Sequence, residues 1–146
     1  MSAVFVSYRR DGALVHARAV FERLSREFGV GQVFIDLESI DVGVDFIDLI
    51  ETQLHGCQVM LALIDPDWVT AVDRQGRRRI TLANSYVRIE IATALRRGIR
   101  VMPILLDAAE MPDEDALPDD LKPLVDRKST RLNSSHPQQS RMPSSA

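Results

Sequence analysis

Short apolar runs alternate along the chain with longer segments whose apolar residues recur at helical spacing. Four runs predict strands: "AVFVSY" from Ala3 to Tyr8, then "QVFID", "QVMLALID" and "RVMPILL". Three segments between them predict helices over residues 13–28, 45–54 and 84–98, with "RRDG" as a turn before the first. Since this order is βαβαβαβ and crossovers are right-handed, we expect an α/β fold, a parallel sheet with helices on both faces.

The pattern changes at Asp126, where the chain becomes polar and aperiodic. This run, "DRKSTRLNSSHPQQSRMPSSA", resembles the in-frame translation of a common short-read sequencing adapter. We therefore expect one domain over residues 1–125 and a non-native or disordered tail over residues 126–146. We also expect the natural sequence to continue past Val125, so that a last strand and a closing helix are missing.

Charge and cysteine usage narrow the range of partners. The formal charge is −3, from 18 basic and 21 acidic residues, and it becomes −6 without the tail, where 14 basic and 20 acidic residues remain. An acidic domain is a poor match for nucleic acid or an anionic membrane surface. The sequence shows no signal peptide and no apolar run long enough for a membrane segment, and Cys57 is the single cysteine, so we expect a cytoplasmic location.

The candidate ligand-binding residues lie where the predicted strands end. In an open parallel sheet, ligands bind outside the carboxyl ends of the strands. Two adjacent arginines there can hold an anion such as a pyrophosphate, and aromatic side chains can stack on a base or ribose. The residues concerned are Arg9 and Arg10 for the anion, Tyr8, Trp68 and Tyr86 for stacking, and Asp36 after the second strand. A solvated turn and a tryptophan packed under a loop are the alternative interpretation.

Glu90 lies beside the apolar stripe of the third predicted helix and has no basic residue at ion-pair spacing on that helix. Its alternative interpretation is an ordinary exposed helix acid. Other known sites are disfavoured: the sequence has no P-loop motif, and His16 and His55 have no partner at metal-ligand spacing, so we expect no metal. A receiver domain with Asp65 as phospho-acceptor would need an acidic pair after the first strand, where two arginines stand instead.

Three stretches carry a family resemblance. "VFVSYRRDG", "VFIDLESIDVGVDFIDLIE" and "SYVRIEIATALRRGIRVMPILL" are similar to the first strand, the second strand with its BB loop and helix, and the third helix with the fourth strand of bacterial Toll/interleukin-1 receptor (TIR) domains. The resemblance covers Ala3 to Val125. It implies a flavodoxin-like three-layer sandwich with strand order 2-1-3-4, with the family's last strand and helix missing.

The resemblance also implies an activity. Enzymatic TIR domains cleave NAD+ at the nicotinamide–ribose bond, in signal transduction or anti-phage defence, with an essential glutamate that falls on Glu90. NAD+ is then a substrate, and no cofactor is expected. The implied pocket residues are Tyr8, Arg9 and Arg10 with Asp36, Ile40 and Gly43 of the BB loop, together with Trp68 and Tyr86. Homotypic self-association, in which a neighbour's BB loop completes the site, is implied as well.

A second function stays open at this point. Other TIR domains are non-enzymatic interaction modules, which act as signalling adaptors or interfere with host signalling. Glu90 and the combination of "SYRR" with "YVRIEI" favour the NAD-cleaving branch. One departure counts against it, because the aspartate common at the start of the third helix is Ser85 here. Ser85 and Asn84 can both cap that helix, but a charged contact would be lost.

Overall fold

The architecture is that of a parallel five-stranded sheet with helices on both faces. The computed structural model describes residues 4–29, 31–35, 46–82 and 85–132. The strands and α-helices, in chain order, are β1 (Val4–Ser7), α1 (Arg10–Phe28), β2 (Val33–Ile35), α2 (Phe46–Leu54), β3 (Val59–Ile64), α3 (Tyr86–Arg96), β4 (Arg100–Leu106) and β5 (Thr130–Leu132). Short 3-10 helices cover Arg79–Thr81, Glu114–Ala116 and Asp119–Asp126.

The sheet has the order β2-β1-β3-β4-β5, and every pairing is parallel. The α/β class, the flavodoxin-like sandwich and the predicted order 2-1-3-4 are therefore confirmed. In β1 and β3 the buried side chains alternate between two apolar clusters, as the pleat requires. Phe5 and Met60, which are in register, join the cluster that contains Ile91 of α3, whereas Val6 joins the cluster that contains Ala17 of α1.

The first helix starts earlier than predicted. The sequence predicts a turn at "RRDG", but α1 begins at Arg10 and includes Asp11 and Gly12. Arg9 is the N-cap residue, with extended backbone angles and no side-chain capping bond. The prediction is wrong because Gly12 does not mark a turn. It stands in the first turn of α1 because a close contact there leaves no room for a side chain.

The sheet also contains one strand more than predicted. β5 pairs with β4 from Ile104 to Leu106, and the Asp107 N–H donates to the Leu132 carbonyl at 2.9 Å. The expectation that the last strand is missing is therefore wrong, because β5 is the fifth strand of the sheet. All three β5 residues are exposed, so backbone pairing holds this strand and hydropathy could not reveal it. The non-native origin of residues 126–146 stays a prediction.

Candidate functional site

A cavity of about 350 Å³ opens at the edge of the sheet where β1 and β3 end and α3 begins. Parallel strands end at the same edge, so three segments that are distant in sequence meet there. Five of the eight predicted nucleotide-binding residues line the cavity, namely Tyr8, Arg9, Arg10, Trp68 and Tyr86. The other lining residues are Asp11, Arg79, Ile80, Leu82, Ser85 and Val87.

The aromatic side chains of the cavity differ in exposure. Tyr8 and Trp68 are buried, with 5% and 2% of their surface accessible, whereas Tyr86 is 38% exposed. The Trp68 indole Nε1 is buried and has no hydrogen-bond partner among the described residues. An indole N–H is a donor only, and a buried donor without a partner is costly. A ligand acceptor in the cavity would satisfy it.

Arg9 forms a two-pronged ion pair with Asp65, the first residue after β3. Its Nε donates to Asp65 Oδ2 at 3.2 Å, and its Nη2 donates to Oδ1 at 2.9 Å. Asp65 is 2% exposed, and its Oδ1 also accepts the backbone N–H of Asp67 at 2.9 Å. Asp65 thus matches much of the charge of Arg9, and an anionic ligand of Arg9 stays a prediction.

Gly12 makes room for this ion pair. A Cβ at Gly12 would lie 2.1 Å from Arg9 Nη2 and 2.7 Å from Asp65 Oδ1, distances that real side chains do not adopt. The close approach explains why glycine stands in the first turn of α1. Arg9, Gly12 and Asp65 therefore lie in contact, although no sequence motif contains all three.

Two further arginines reach the cavity. Arg10, a predicted pocket residue, lines the cavity and is exposed, and Arg79 is a lining residue that the sequence did not predict. The Arg79 Nη1 donates to Asp11 Oδ2 at 2.7 Å. This hydrogen bond, with the positive charges of Arg79, Arg9 and Arg10, lowers the pKa of the Asp11 carboxyl below its usual value. The only signal for Arg79 in the sequence is its place in the basic run Arg77–Arg79.

Glu90 is buried in α3, with 1% of its surface accessible. Its Oε1 accepts a hydrogen bond from the Ser7 hydroxyl at 2.8 Å. Ser7 lies two residues after Phe5 on β1 and therefore faces the same side of the sheet, toward α3. The interpretation of Glu90 as an exposed helix acid is wrong. Glu90 follows the lining residues Tyr86 and Val87 by about one helical turn, but is not itself among the cavity-lining residues.

The remaining predicted residues cannot be placed. Asp36, Ile40 and Gly43 lie outside the described residues, so their part in the site stays a prediction.

Within the described ranges, no group of three or more His, Cys, Asp or Glu side chains is placed to hold a metal ion. No helix in the described part of the chain is long and apolar enough to cross a membrane.

Several solved structures resemble this fold, among them the following two. One is a metazoan TIR-STING receptor from C. gigas in complex with 2′,3′-cGAMP, with 17% identity and a TM-score of 0.57 over 90% of this chain and 35% of the receptor. The other is the TIR domains of the activated Roq1 resistosome directly recognizing the pathogen effector XopQ, with 10% identity and a TM-score of 0.54 over 86% of this chain and 70% of that one. The chain thus spans only a minor part of the TIR-STING receptor.

These identities establish a shared fold and no more. No curated protein sequence matches the chain. The family assignment therefore depends on sequence: the TIR domain family matches residues 4–139, which include the sheet, the cavity and Glu90. The chain belongs to the TIR domain family.

Proposed function

We propose that this TIR domain is an NAD+ glycohydrolase, which releases nicotinamide and forms ADP-ribose or a cyclic variant of it. The observation that carries the proposal is the buried carboxylate of Glu90, about one helical turn after Tyr86 and Val87, which line a cavity with basic and aromatic residues. Burying a carboxylate costs free energy that an apolar residue at this position would avoid. A role in chemistry gives a reason for a carboxyl group at this buried position.

Cleavage of the nicotinamide–ribose bond requires little acid catalysis from the protein. The C1′–N bond breaks with its electron pair moving to the pyridinium nitrogen, so nicotinamide leaves as a neutral molecule. The ribose then carries oxocarbenium character until a water oxygen adds to C1′ and loses a proton. A fixed carboxylate near the ribose stabilises that positive charge, which is the role we assign to Glu90. The Ser7 hydroxyl, which donates to Oε1, fixes the orientation of this carboxylate.

The walls of the cavity suit a dinucleotide. Arg10 and Arg79 offer positive charge for phosphate oxygens, since guanidinium groups match phosphate geometry. Tyr86, which is 38% exposed, offers aromatic surface for a base or a ribose, whereas Tyr8 and Trp68 are almost fully buried in the cavity wall. A cavity of about 350 Å³ falls within the range of small-molecule sites, at their lower end. It would therefore hold only part of an NAD+ molecule.

Self-association would supply the rest of the site. We propose that the BB loop of a neighbouring copy, with Asp36, Ile40 and Gly43 as its predicted contact residues, completes the nucleotide pocket. The activated Roq1 resistosome, whose TIR domains share this fold, is an assembly. That likeness supports self-association of this chain only through the shared fold, and no contact is carried over from Roq1.

A non-enzymatic TIR interaction module is the second candidate. The observation in its favour is that Glu90 is 1% exposed and bonded to Ser7, as a residue that merely ties α3 to β1 would be. The two candidates differ in a direct assay. Concentrated protein is incubated with NAD+, and nicotinamide, ADP-ribose and cyclic products are separated by chromatography. The enzyme releases nicotinamide in proportion to time, whereas an adaptor leaves NAD+ intact.

A further inference from the structure

The charged groups of the cavity wall are not equally available to a ligand. Three arginines and one aspartate are among its described lining residues, namely Arg9, Arg10, Arg79 and Asp11. Arg9 is committed to Asp65 through two hydrogen bonds, and the Asp65 side chain is 1% exposed. Removing one partner of a buried pair leaves an uncompensated charge, so Arg9 stays with Asp65 when a ligand enters.

The pair between Arg79 and Asp11 is of a different kind. One hydrogen bond of 2.7 Å joins the two side chains, which are 44% and 63% exposed. Exposed ion pairs of this type contribute little free energy because water already solvates both groups. A ligand anion can therefore take the place of the Asp11 carboxylate at small cost.

The backbone of Arg79 is fixed although its guanidinium is exposed. The Arg79 N–H donates to the Ala71 carbonyl at 2.9 Å, and Val72 and Arg78 form an antiparallel bridge. The next residue, Ile80, is 3% exposed and belongs to the core cluster under α3. Arg79 thus presents a charged group at the cavity from a rigid base, as a preorganised binding residue should.

From these contacts we infer that Arg79 is an anion-binding residue of the cavity, which exchanges the Asp11 carboxylate for a phosphate group of the ligand. The inference rests on the proposed function for the identity of that ligand, a nucleoside diphosphate such as the ADP-ribose part of NAD+. Asp11 then acts as a competitor that occupies Arg79 in the empty cavity.

The segment between β3 and α3 provides a matched control pair. Arg77 is bonded to Asp73, with Nη2 2.8 Å from Oδ2, and both are exposed to solvent in part. This pair has the same chemistry as Arg79–Asp11, and Arg77 lies two residues before Arg79, but neither Arg77 nor Asp73 lines the cavity. Asp73 Oδ1 also accepts the backbone N–H groups of Gln75 and Arg77, each at 2.9 Å, and asparagine keeps this acceptor oxygen. Arg77→Gln and Asp73→Asn therefore report the effect of changing the charge of this segment while the turn keeps its backbone hydrogen bonds.

The test is calorimetric titration of the full chain with ADP-ribose, which needs no turnover. We expect Arg79→Gln to weaken binding about tenfold or more, since charge-assisted hydrogen bonds to phosphate are lost. Asp11→Asn should tighten binding about threefold, because the competing carboxylate is gone. Arg77→Gln and Asp73→Asn should each leave affinity within about twofold of the unsubstituted protein.

Arg79→Gln is expected to weaken binding and Asp11→Asn to tighten it. Misfolding cannot explain both changes, since a damaged fold does not bind more tightly. If ADP-ribose binds but Arg79→Gln behaves like Arg77→Gln, the inference is wrong and the proposed function still stands. If Asp11→Asn binds no more tightly than Asp73→Asn, the exchange between Asp11 and phosphate is wrong. Absence of ADP-ribose binding by the unsubstituted protein, together with absence of nicotinamide release, would overturn the proposed function and this inference with it.

Discussion

Gly12 occupies a place in the first turn of α1 where a side chain would collide with the ion pair of Arg9 and Asp65. A glycine after two arginines predicts a turn when only local propensity is considered. The contact that explains it joins residues 56 positions apart in sequence, Arg9 and Asp65, and no local pattern contains it. At the residue scale, the reason for this glycine is therefore tertiary.

Replacing this glycine gives a prediction whose sign is informative. Helix propensity alone would make Gly12→Ala stabilising by up to about 1 kcal/mol. We expect it instead to lower the free energy of unfolding by about 1 kcal/mol or more, because overpacking a close contact costs about 1–3 kcal/mol. Urea unfolding measures the difference. Glu22→Ala, at an exposed position of the same helix, is the control and should change stability by less than about 0.5 kcal/mol. A Gly12→Ala protein as stable as the control would contradict the role of this contact.

Glu90 shows both what sequence can predict about a residue and what it cannot. Helical spacing places it beside the apolar stripe of α3, and the structure agrees with that placement. Its buried carboxylate accepts a hydrogen bond from Ser7, which lies 83 residues earlier and whose direction follows from the pleat of β1. Periodicity within α3 could not show that the carboxylate enters the interior.

At the scale of elements, the sequence was most informative where hydrophobic patterns are long. β4 has the predicted bounds, Arg100 to Leu106, and the parallel order follows from the alternation of strands and helices. β5 was missed because its three exposed residues carry no hydrophobic signal, and only the edge of β4 reveals its place. Elements held by side-chain burial were thus predictable, whereas an element held by backbone pairing was not.

The start of α3 gives a second prediction. Ser85 is its N-cap residue, and its hydroxyl accepts the N–H of Arg88 at 3.3 Å, as the sequence suggested. Ser85→Ala should lower the free energy of unfolding by about 0.5–1 kcal/mol, since the capping acceptor is lost. Ser85→Asp should stay within about 0.5 kcal/mol of the unsubstituted protein, because it keeps an acceptor and adds favourable charge at the helix N-terminus. Equal stability of the two variants in urea unfolding would show that this cap contributes nothing.

At the scale of the whole molecule, the cavity is assembled from segments that no single motif contains. Tyr8 and Arg10 come from the end of β1 and the start of α1, Trp68 follows β3, and Tyr86 begins α3. The rule that ligands bind outside the carboxyl ends of parallel strands predicted this gathering. The sequence did not predict Arg79 as a cavity residue, because its position depends on a loop that the bridge between Val72 and Arg78 fixes.

The proposed self-association can be tested by complementation. If a neighbour's BB loop completes each site, a chain with Glu90→Gln still supplies a normal loop, and a chain with Ile40→Ala still supplies a normal Glu90. Each variant alone should be inactive or nearly so, and a mixture of the two should regain nicotinamide release. The specific activity of the unsubstituted protein should also rise with its concentration. A mixture as inactive as its components, or a specific activity independent of concentration, would indicate that one copy holds the complete site.

The most direct test of the central claim is the rate of nicotinamide release from NAD+ by the Glu90→Gln protein. Glutamine keeps the volume of Glu90 and an oxygen that can accept the Ser7 hydrogen bond, so the fold should survive and only the charge is removed. We expect the rate to fall at least about 100-fold, as for loss of a group that stabilises transition-state charge. Glu22→Gln, an exposed substitution on α1, should keep the full rate. A folded Glu90→Gln protein that releases nicotinamide as fast as the Glu22→Gln control would contradict the assignment of Glu90 as the catalytic carboxylate.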